Sequence, residues 1–129
     1  TLLLGLLVFA LLGGWGVVYW LLHMPLVWWQ LTSANYIEHY GLLRKQLENG
    51  RYERVKRIHS WNSDHVIGQV LLFNLSRHSD HHYNGSKHYQ LLKTVPESPQ
   101  MPTGYPGMML LSLIPPLWFL VMNKKLQEI

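Results

Sequence analysis

Three histidines, His78, His81 and His82, occur in the sequence with the spacing H-x-x-H-H. On an α-helix, positions i, i+3 and i+4 share one face, so the three imidazoles can point to the same place. Imidazole nitrogen is a good ligand for iron, zinc, copper and nickel. Because the chain contains no cysteine, thiolate metal ligands, disulfides and cysteine nucleophiles are excluded. The spacing therefore predicts a transition-metal site built from histidine with some carboxylate.

Other residues near these histidines could complete such a site. His39 lies at the end of a long apolar segment, where an ionisable group is costly and tends to be functional. Asp80 and Glu38 are predicted to accept hydrogen bonds from metal-bound imidazoles, which usually donate their second N–H to a carboxylate or carbonyl. From the residues alone, His39 could equally be a ligand or structural, and the cluster could also be merely solvated. His23 is interpreted as structural. The histidines interpreted either as structural or as supporting the ligands are His59, His65 and His88.

The composition indicates a protein that contacts lipid. Charged residues are 14% of the 129 residues, against roughly 25% in a typical soluble domain. Residues 1–37 contain no Asp, Glu, Lys or Arg. One straight helix of that length would measure about 55 Å, whereas the hydrocarbon core is about 30 Å thick. We therefore expect a break at Gly13-Gly14 and a kink at Pro25. The alternative is one span over residues 2–22, followed by a break at Met24-Pro25.

A cluster of basic residues follows this apolar segment, with six Lys or Arg and two Glu between residues 44 and 57. Such an excess is typical of cytoplasmic loops beside a membrane, so we place this end in the cytoplasm. A nucleic-acid-binding patch is not expected beside so much apolar chain, whereas docking of an acidic protein is compatible with the charges. The residues predicted to dock such a partner are Arg44, Lys45, Arg51 and Arg54.

Between the two apolar parts of the chain, the sequence predicts further helices. Residues 43–57 are expected to form a polar helix and a turn at Asn49-Gly50. Residues 61–82 are expected to form one helix, capped by Ser63 or Asp64, that carries the three clustered histidines near its end.

The C-terminal part is predicted to contain a loop and a second apolar segment. Residues 83–104 are rich in Pro, Gly, Ser and Asn, with a short helix expected near His88–Lys93. The uncharged run Tyr105–Met122 is broken by Pro115-Pro116, which favours an interfacial or re-entrant segment. The fold class predicted is an all-α fragment of an integral-membrane helical bundle with histidine-bearing helices on the cytoplasmic side. Its expected parts are an apolar helical hairpin (1–38), a cytoplasmic metal-binding region (39–104) and an apolar C-terminal segment (105–123).

Two motifs that contain these histidines resemble those of the membrane-bound alkane 1-monooxygenase (AlkB-type) family. Residues 35–42, N-Y-I-E-H-Y-G-L, are similar to its N-Y-x-E-H-Y-G-L motif. Residues 75–82, L-S-R-H-S-D-H-H, are similar to its third histidine motif, L-Q-R-H-S-D-H-H. The stretches 59–63 and 98–105 resemble the same family. Two long motifs in the right order make this a specific resemblance from about residue 35 onward.

The chain also departs from the family pattern. Ser76 replaces the usual Gln and Asn74 a common His, and neither position is an expected ligand. The family motifs H-E-x-x-H and E-H-x-x-H-H are absent from the 129 residues. We therefore expect the chain to be the C-terminal part of a longer hydroxylase domain, with these motifs upstream of Thr1, and expect this part alone to be inactive.

The resemblance implies a six-span enzyme of the bacterial inner membrane in which histidines hold two iron ions. It implies terminal hydroxylation of n-alkanes with O₂, using electrons from rubredoxin that rubredoxin reductase supplies, and it is compatible with a homo-oligomer. The alternatives are a related membrane di-iron oxygenase, such as a xylene methyl hydroxylase or a fatty-acyl desaturase or hydroxylase, and a non-catalytic membrane metal-binding protein. By this resemblance, the metal ligands and catalytic residues are His39, His78, His81 and His82.

Overall fold

A computed structural model describes residues 2–129, which form helices and loops without a β-strand. The predicted all-α fold is confirmed. The chain divides into two compact units, one up to Ser33 and one from Ala34 to Ile129. The helices are α1 (Leu2–His39), α2 (Val66–Leu71), α3 (His78–Tyr83), α4 (Tyr105–Ser112) and α5 (Pro115–Leu126), with 3₁₀ turns at Arg57–His59 and Tyr89–Leu91.

The first unit consists of the apolar part of α1, which is sharply bent. Gly13 has φ 66° and ψ −164°, a conformation that glycine adopts without steric cost. In a straight helix Gly5 and Trp20 would be about 22 Å apart, yet a Cβ built on Gly5 would lie 3.3 Å from the Trp20 ring. The helix therefore bends back at Gly13, as expected for Gly13-Gly14, while Pro25 keeps helical backbone angles.

Helix α1 is long and apolar enough to cross a membrane. Its large side chains are exposed on every face, for example Leu3, Trp15 and Leu31. A helix that is apolar all round must be buried in a large protein or in lipid. The part after the bend, residues 14–39, would be about 39 Å long, sufficient for the hydrocarbon core of about 30 Å.

The second unit has its own apolar core, and this core fixes the end of α1. The Trp118 ring of α5 lies 5.3 Å from the Tyr36 ring and 5.2 Å from the Tyr40 ring, centroid to centroid. Helix α4 ends at Ser112 and α5 begins at Pro115. The helical segment is therefore interrupted directly before Pro115-Pro116, where the break in the apolar run was expected. The buried core residues are Ile37, Trp61, Met101, Tyr105, Met108, Trp118 and Met122.

The prediction of a polar helix at 43–57 is wrong. Residues 42–56 form an extended, solvent-exposed ribbon, hereafter the basic ribbon, which turns at Asn49-Gly50. The N–H of Glu53 donates to the Lys45 carbonyl at 2.9 Å, and the chain pairs across the turn in antiparallel fashion. Asn-Gly favours tight hairpin turns because both residues tolerate positive φ. The turn signal therefore prevailed over the helical propensity of the flanking residues.

The prediction of one helix at 61–82 is also wrong, because α2 and α3 are separate. Left-handed backbone angles occur between the two helices, at Phe73 (φ 49°) and Asn74 (φ 62°). An α-helix cannot continue through residues with such angles. This turn lets the N–H of Ser63 donate to the Ser76 carbonyl at 2.9 Å. As a result α3 begins at His78, and the clustered histidines occupy its first turns.

Candidate metal centre

Three of the four predicted ligands meet at one place in the second unit. His39, at the end of α1, and His78 and His82, on α3, each contribute a ring nitrogen, and these nitrogens lie within 4.8 Å of one another. The His39 Nε2 and His82 Nε2 atoms are 3.2 Å apart. The His39 ring centroid is 5.0 Å from each of the other two. The structure thus brings His39 to α3, while the assignment of these residues as ligands stays a prediction.

Local backbone features place each of these rings. Gly41, two residues after His39, has φ 72°, a left-handed conformation that commonly follows the end of a helix, so α1 ends at His39. On α3, His78 and His82 are four residues apart and therefore stand one turn above the other. Their ring centroids are 4.4 Å apart.

The backbone hydrogen bond of His39 fixes its tautomer and leaves an unprotonated Nε2 that faces His82 Nε2 at 3.2 Å. The His39 Nδ1 lies 2.9 Å from the Asn35 carbonyl oxygen, which can only accept, so Nδ1 carries the proton. In the neutral ring, Nε2 then presents its lone pair toward His82. A metal-bound histidine usually has this arrangement, with the second nitrogen donating to a carbonyl or carboxylate.

His78 is the buried member of the group, at 8% exposure. Burial, together with the neighbouring His82, His39 and His81, lowers the pKa of His78 to about 3. Burial and then the proximity of His39 also lower the pKa of His82. Both rings are therefore neutral at physiological pH, the state in which imidazole binds a metal.

The residues present fit a transition-metal ion. The Nε2 atom of His78 is buried and has no hydrogen-bond partner in the described part of the chain. It lies 3.3 Å from Glu38 Oε2, but without hydrogen-bond geometry. An unpaired buried nitrogen costs free energy, and coordination of a metal ion would satisfy it. Three imidazoles with an adjacent carboxylate are a donor set that suits iron or zinc.

His81, the fourth predicted ligand, stands apart from this group. Its ring centroid is 6.0 Å from that of His78 and 5.7 Å from that of His82. It does not contribute to the set of nitrogens within 4.8 Å. The H-x-x-H-H motif thus places His78 and His82 at one position and His81 at a neighbouring one.

The two predicted carboxylate acceptors have different surroundings. Glu38 lies beside His78, and its other oxygen, Oε1, accepts a 2.7 Å hydrogen bond from the Tyr105 hydroxyl. Asp80 is bonded instead to Lys87 Nζ and, at 2.9 Å, to the Lys93 N–H. These two bonds tie the loop after α3 to the helix. The role of Asp80 in supporting a metal-bound imidazole stays a prediction.

Sequence reasoning missed Tyr105 as a neighbour of the site. It begins α4 and comes 67 residues after Glu38, so no local pattern joins the two. The only available signal was the 98–105 stretch, which resembled a family motif but carried no chemical role. Burial of Tyr105 in the core brings its hydroxyl to the carboxylate.

A cleft of about 420 Å³ opens beside two of the site histidines. His39 and His82 line one part of it, and Arg44, Tyr52 and Val55 of the basic ribbon line another. Arg44 stacks on the Tyr52 ring, with its guanidinium carbon 5.6 Å from the ring centroid. The ribbon predicted to dock a partner therefore borders the histidines directly.

The remaining histidines have local structural contacts. His59 is buried, and its Nδ1 accepts a 3.0 Å hydrogen bond from the Lys56 N–H. His65 precedes α2, with its Nδ1 3.1 Å from Ser63 Oγ. His88 is exposed before a 3₁₀ turn, and His23 stacks on Tyr19 in the first unit. Their structural interpretation agrees with these contacts.

Comparison with known proteins places the chain among membrane oxygenases. Residues 1–112 match the fatty acid desaturase family. The alkane 1-monooxygenase of Ectopseudomonas oleovorans is 49% identical over 128 residues, which cover 99% of this chain and 32% of that protein. The alkane 1-monooxygenase 1 of Alcanivorax borkumensis is 51% identical over 107 residues, covering 83% of this chain and 26% of that protein. The predicted resemblance to alkane 1-monooxygenases is thereby confirmed.

A relative with another substrate in its name is also similar. The xylene/toluene monooxygenase hydroxylase component of Pseudomonas putida is 37% identical over 99 residues, covering 76% of this chain and 25% of that protein. The chain spans about a third of the length of the first of these curated relatives.

Proposed function

The chain belongs to the fatty acid desaturase family, and on that premise we propose that the whole protein is a membrane hydroxylase that converts n-alkanes to 1-alkanols. In this proposal it uses O₂ at a histidine-ligated di-iron centre. The observation that carries the proposal is the meeting of His39 with His78 and His82 at the end of an apolar helix. The similarity to alkane 1-monooxygenases along nearly the whole chain supports the substrate class.

The chemistry explains why such a site needs a metal. A terminal C–H bond has no acidic proton and no polar handle, so acid–base groups cannot activate it. Bound iron would serve to activate O₂, which is the oxidant. The chain's own residues have the task of holding the ligand nitrogens and limiting water at the site. The burial of His78 and the hydrogen bond of Tyr105 to Glu38 serve that task.

We assign the two irons to different parts of the histidine set. His39, His78 and His82 would hold one ion, because their nitrogens lie within 4.8 Å of one another. His81, with its ring about 6 Å away, would reach the second ion. The further ligands of both ions would come from histidine motifs that these 129 residues lack.

We propose that the basic ribbon receives the electron donor. Rubredoxin, an acidic iron protein reduced by rubredoxin reductase, would dock against Arg44, Lys45, Arg51 and Arg54. Opposite potentials accelerate such encounters. The cleft between the ribbon and the His39 and His82 rings supports this, since it leaves little protein between partner and metal. The ribbon would therefore lie in the cytoplasm of a multi-pass protein of the bacterial inner membrane, with helices up to residue 38 and from 105 to 123 associated with lipid.

The test of this proposal is turnover by the intact protein. Membranes that contain the full-length protein, supplied with rubredoxin, its reductase and NADH, are expected to convert n-octane to 1-octanol. The matched control is the His82→Ala variant, which should form no 1-octanol at the same protein level. An iron-loaded protein that hydroxylates no hydrocarbon would contradict the proposal.

Hydroxylation of the xylene methyl group is the second candidate function. It is favoured by the 37% identity to the xylene/toluene monooxygenase component. The same membranes supplied with m-xylene distinguish the two candidates. Faster product formation from n-octane than from m-xylene supports the first candidate, and the reverse order supports the second.

A further inference from the structure

Trp61, a fully buried residue, is bonded to both neighbours of His39. Its backbone N–H donates to the Glu38 carbonyl, and its indole Nε1–H donates to the Tyr40 carbonyl, each at 2.8 Å. Glu38 and Tyr40 are the residues on either side of His39. Because the donor residue Trp61 is shielded from water, these bonds hold the end of α1 more firmly than fully exposed bonds would.

The next residue, Asn62, makes the corresponding bond to α3. Its side-chain Oδ1 accepts the N–H of Ser79 at 2.8 Å, and Ser79 directly follows His78. The first N–H groups of a helix have no partner within it, and α3 has no side-chain cap from Arg77. The Ser79 hydroxyl adds a 2.9 Å bond to the Ser60 carbonyl, so the same two segments are joined twice.

The position of Asn62 is itself fixed from the other side. Its N–H donates to the Pro99 carbonyl, and its carbonyl accepts the N–H of Met101, each at 2.8 Å. The side chain is 1% exposed. Asn62 therefore cannot follow a displaced α3, and it sets where the first turn of that helix lies.

We propose that Trp61 and Asn62 are positioning residues for the metal centre, which hold His39 and His78 at the separation that one metal ion requires. The proposal rests on the metal-binding role proposed above for these histidines. Neither residue belongs to the group of ligand nitrogens; each acts on the backbone next to a histidine. Metal sites tolerate displacements of only about 0.5 Å in their ligands, so small shifts of either segment would weaken binding.

The experiment measures Fe(II) affinity and metal-free stability separately. The intact membrane protein is stripped with a chelator in nanodiscs and titrated with Fe(II), and its metal-free thermal midpoint is recorded. Asn62→Ala removes the acceptor, and Asn62→Asp keeps an oxygen at that position. Met122→Ala, in the core but outside the site, is the control for a general loss of stability.

We expect Asn62→Ala to bind Fe(II) about tenfold more weakly than Met122→Ala. Asn62→Asp should restore most of the affinity. Trp61→Phe, which keeps an aromatic ring without the indole N–H, should weaken Fe(II) binding by a similar factor, and it keeps the proposal testable if Asn62→Ala does not fold. Equal losses in the site variants and in Met122→Ala would overturn the proposal. A wild-type protein that binds no Fe(II) would instead refute the proposed function.

Discussion

The metal centre and the basic ribbon lie next to each other, but they are held in different ways. The metal centre depends on hydrogen bonds between distant parts of the chain, such as Ser79 to Asn62, and on buried side chains. The basic ribbon is exposed and is held by bonds among its own residues, such as Glu53 to Lys45. The first region therefore fixes atoms in place, whereas the second mainly presents positive charge.

This difference predicts how each region responds to substitution. Coordination depends on ligand positions to a fraction of an ångström, so a single change at the metal centre should have a large effect. Electrostatic docking depends on summed charge, so changes in the basic ribbon should be graded and sensitive to salt.

The largest effect is expected for His78→Ala in the full-length protein. It removes the buried ring whose Nε2 has no other partner, so 1-octanol formation should fall below detection. The control is His88→Ala, an exposed histidine away from the group, which should keep near wild-type activity. Full hydroxylation and unchanged iron content in His78→Ala would remove the basis for the site.

Gly41→Ala should lower the free energy of unfolding by about 2–3 kcal/mol, through a strained positive φ and overpacking. A Cβ at this position would lie 2.3 Å from Leu126 Cδ1. The measurement is denaturant unfolding in detergent, with Gly68→Ala as control, because the Cβ added there meets only ordinary contacts from 3.7 Å. Equal stability of the two variants would show that the end of α1 is not fixed as described.

The metal-free protein should lose stability in acid. The folded pKa of His78 is about 3, below its unfolded value of about 6.5, so only the unfolded chain takes up a proton between these values. The stabilisation that follows from the lowered pKa of His78 is complete above about pH 6.5 and declines as the pH falls toward 3. At pH 5 the free energy of unfolding should be lower by roughly 1–2 kcal/mol. Thermal midpoints from pH 7 to 5 test this, and His78→Leu should flatten the slope. A slope unchanged in that variant would assign the acid sensitivity to other groups.

The smallest effect is expected in the basic ribbon. The double variant Arg51→Glu/Arg54→Glu should slow reduction by rubredoxin severalfold at low salt, roughly 1 kcal/mol, and the difference should shrink at high salt. Lys124→Glu/Lys125→Glu on α5 changes the net charge equally and serves as the control. If both double variants slow reduction to the same extent, net charge rather than the ribbon governs docking.

The features of the fold and of the site that depend on local spacing could be predicted from the sequence. The periodicity of His78 and His82, the helix break at Gly13 and the turn at Asn49-Gly50 follow from the conformational preferences of a few adjacent residues. The single helix predicted at 61–82 failed because the left-handed turn at Phe73-Asn74 is stabilised by a bond between Ser63 and Ser76, thirteen residues apart.

The neighbours of the metal centre could not be found from local patterns. Tyr105 reaches Glu38 across 67 residues, and Asn62 reaches Ser79 across 17. Asp80 lies between the histidines in the sequence, and local spacing did not predict its bonds to Lys87 and Lys93. Tertiary packing decides which segment each side chain of a helix contacts. The spacing of a sequence motif carries no information about these contacts.

Whether these histidines hold one ion is tested by the iron content of the intact protein after three simultaneous substitutions, His39→Ala, His78→Ala and His82→Ala. The wild type is expected to carry two irons per protein, measured by elemental analysis of protein purified in detergent. The triple variant should retain at most one, because the common ligand position is lost while His81 remains. Two irons per protein in the triple variant would show that these three histidines are not ligands of either ion.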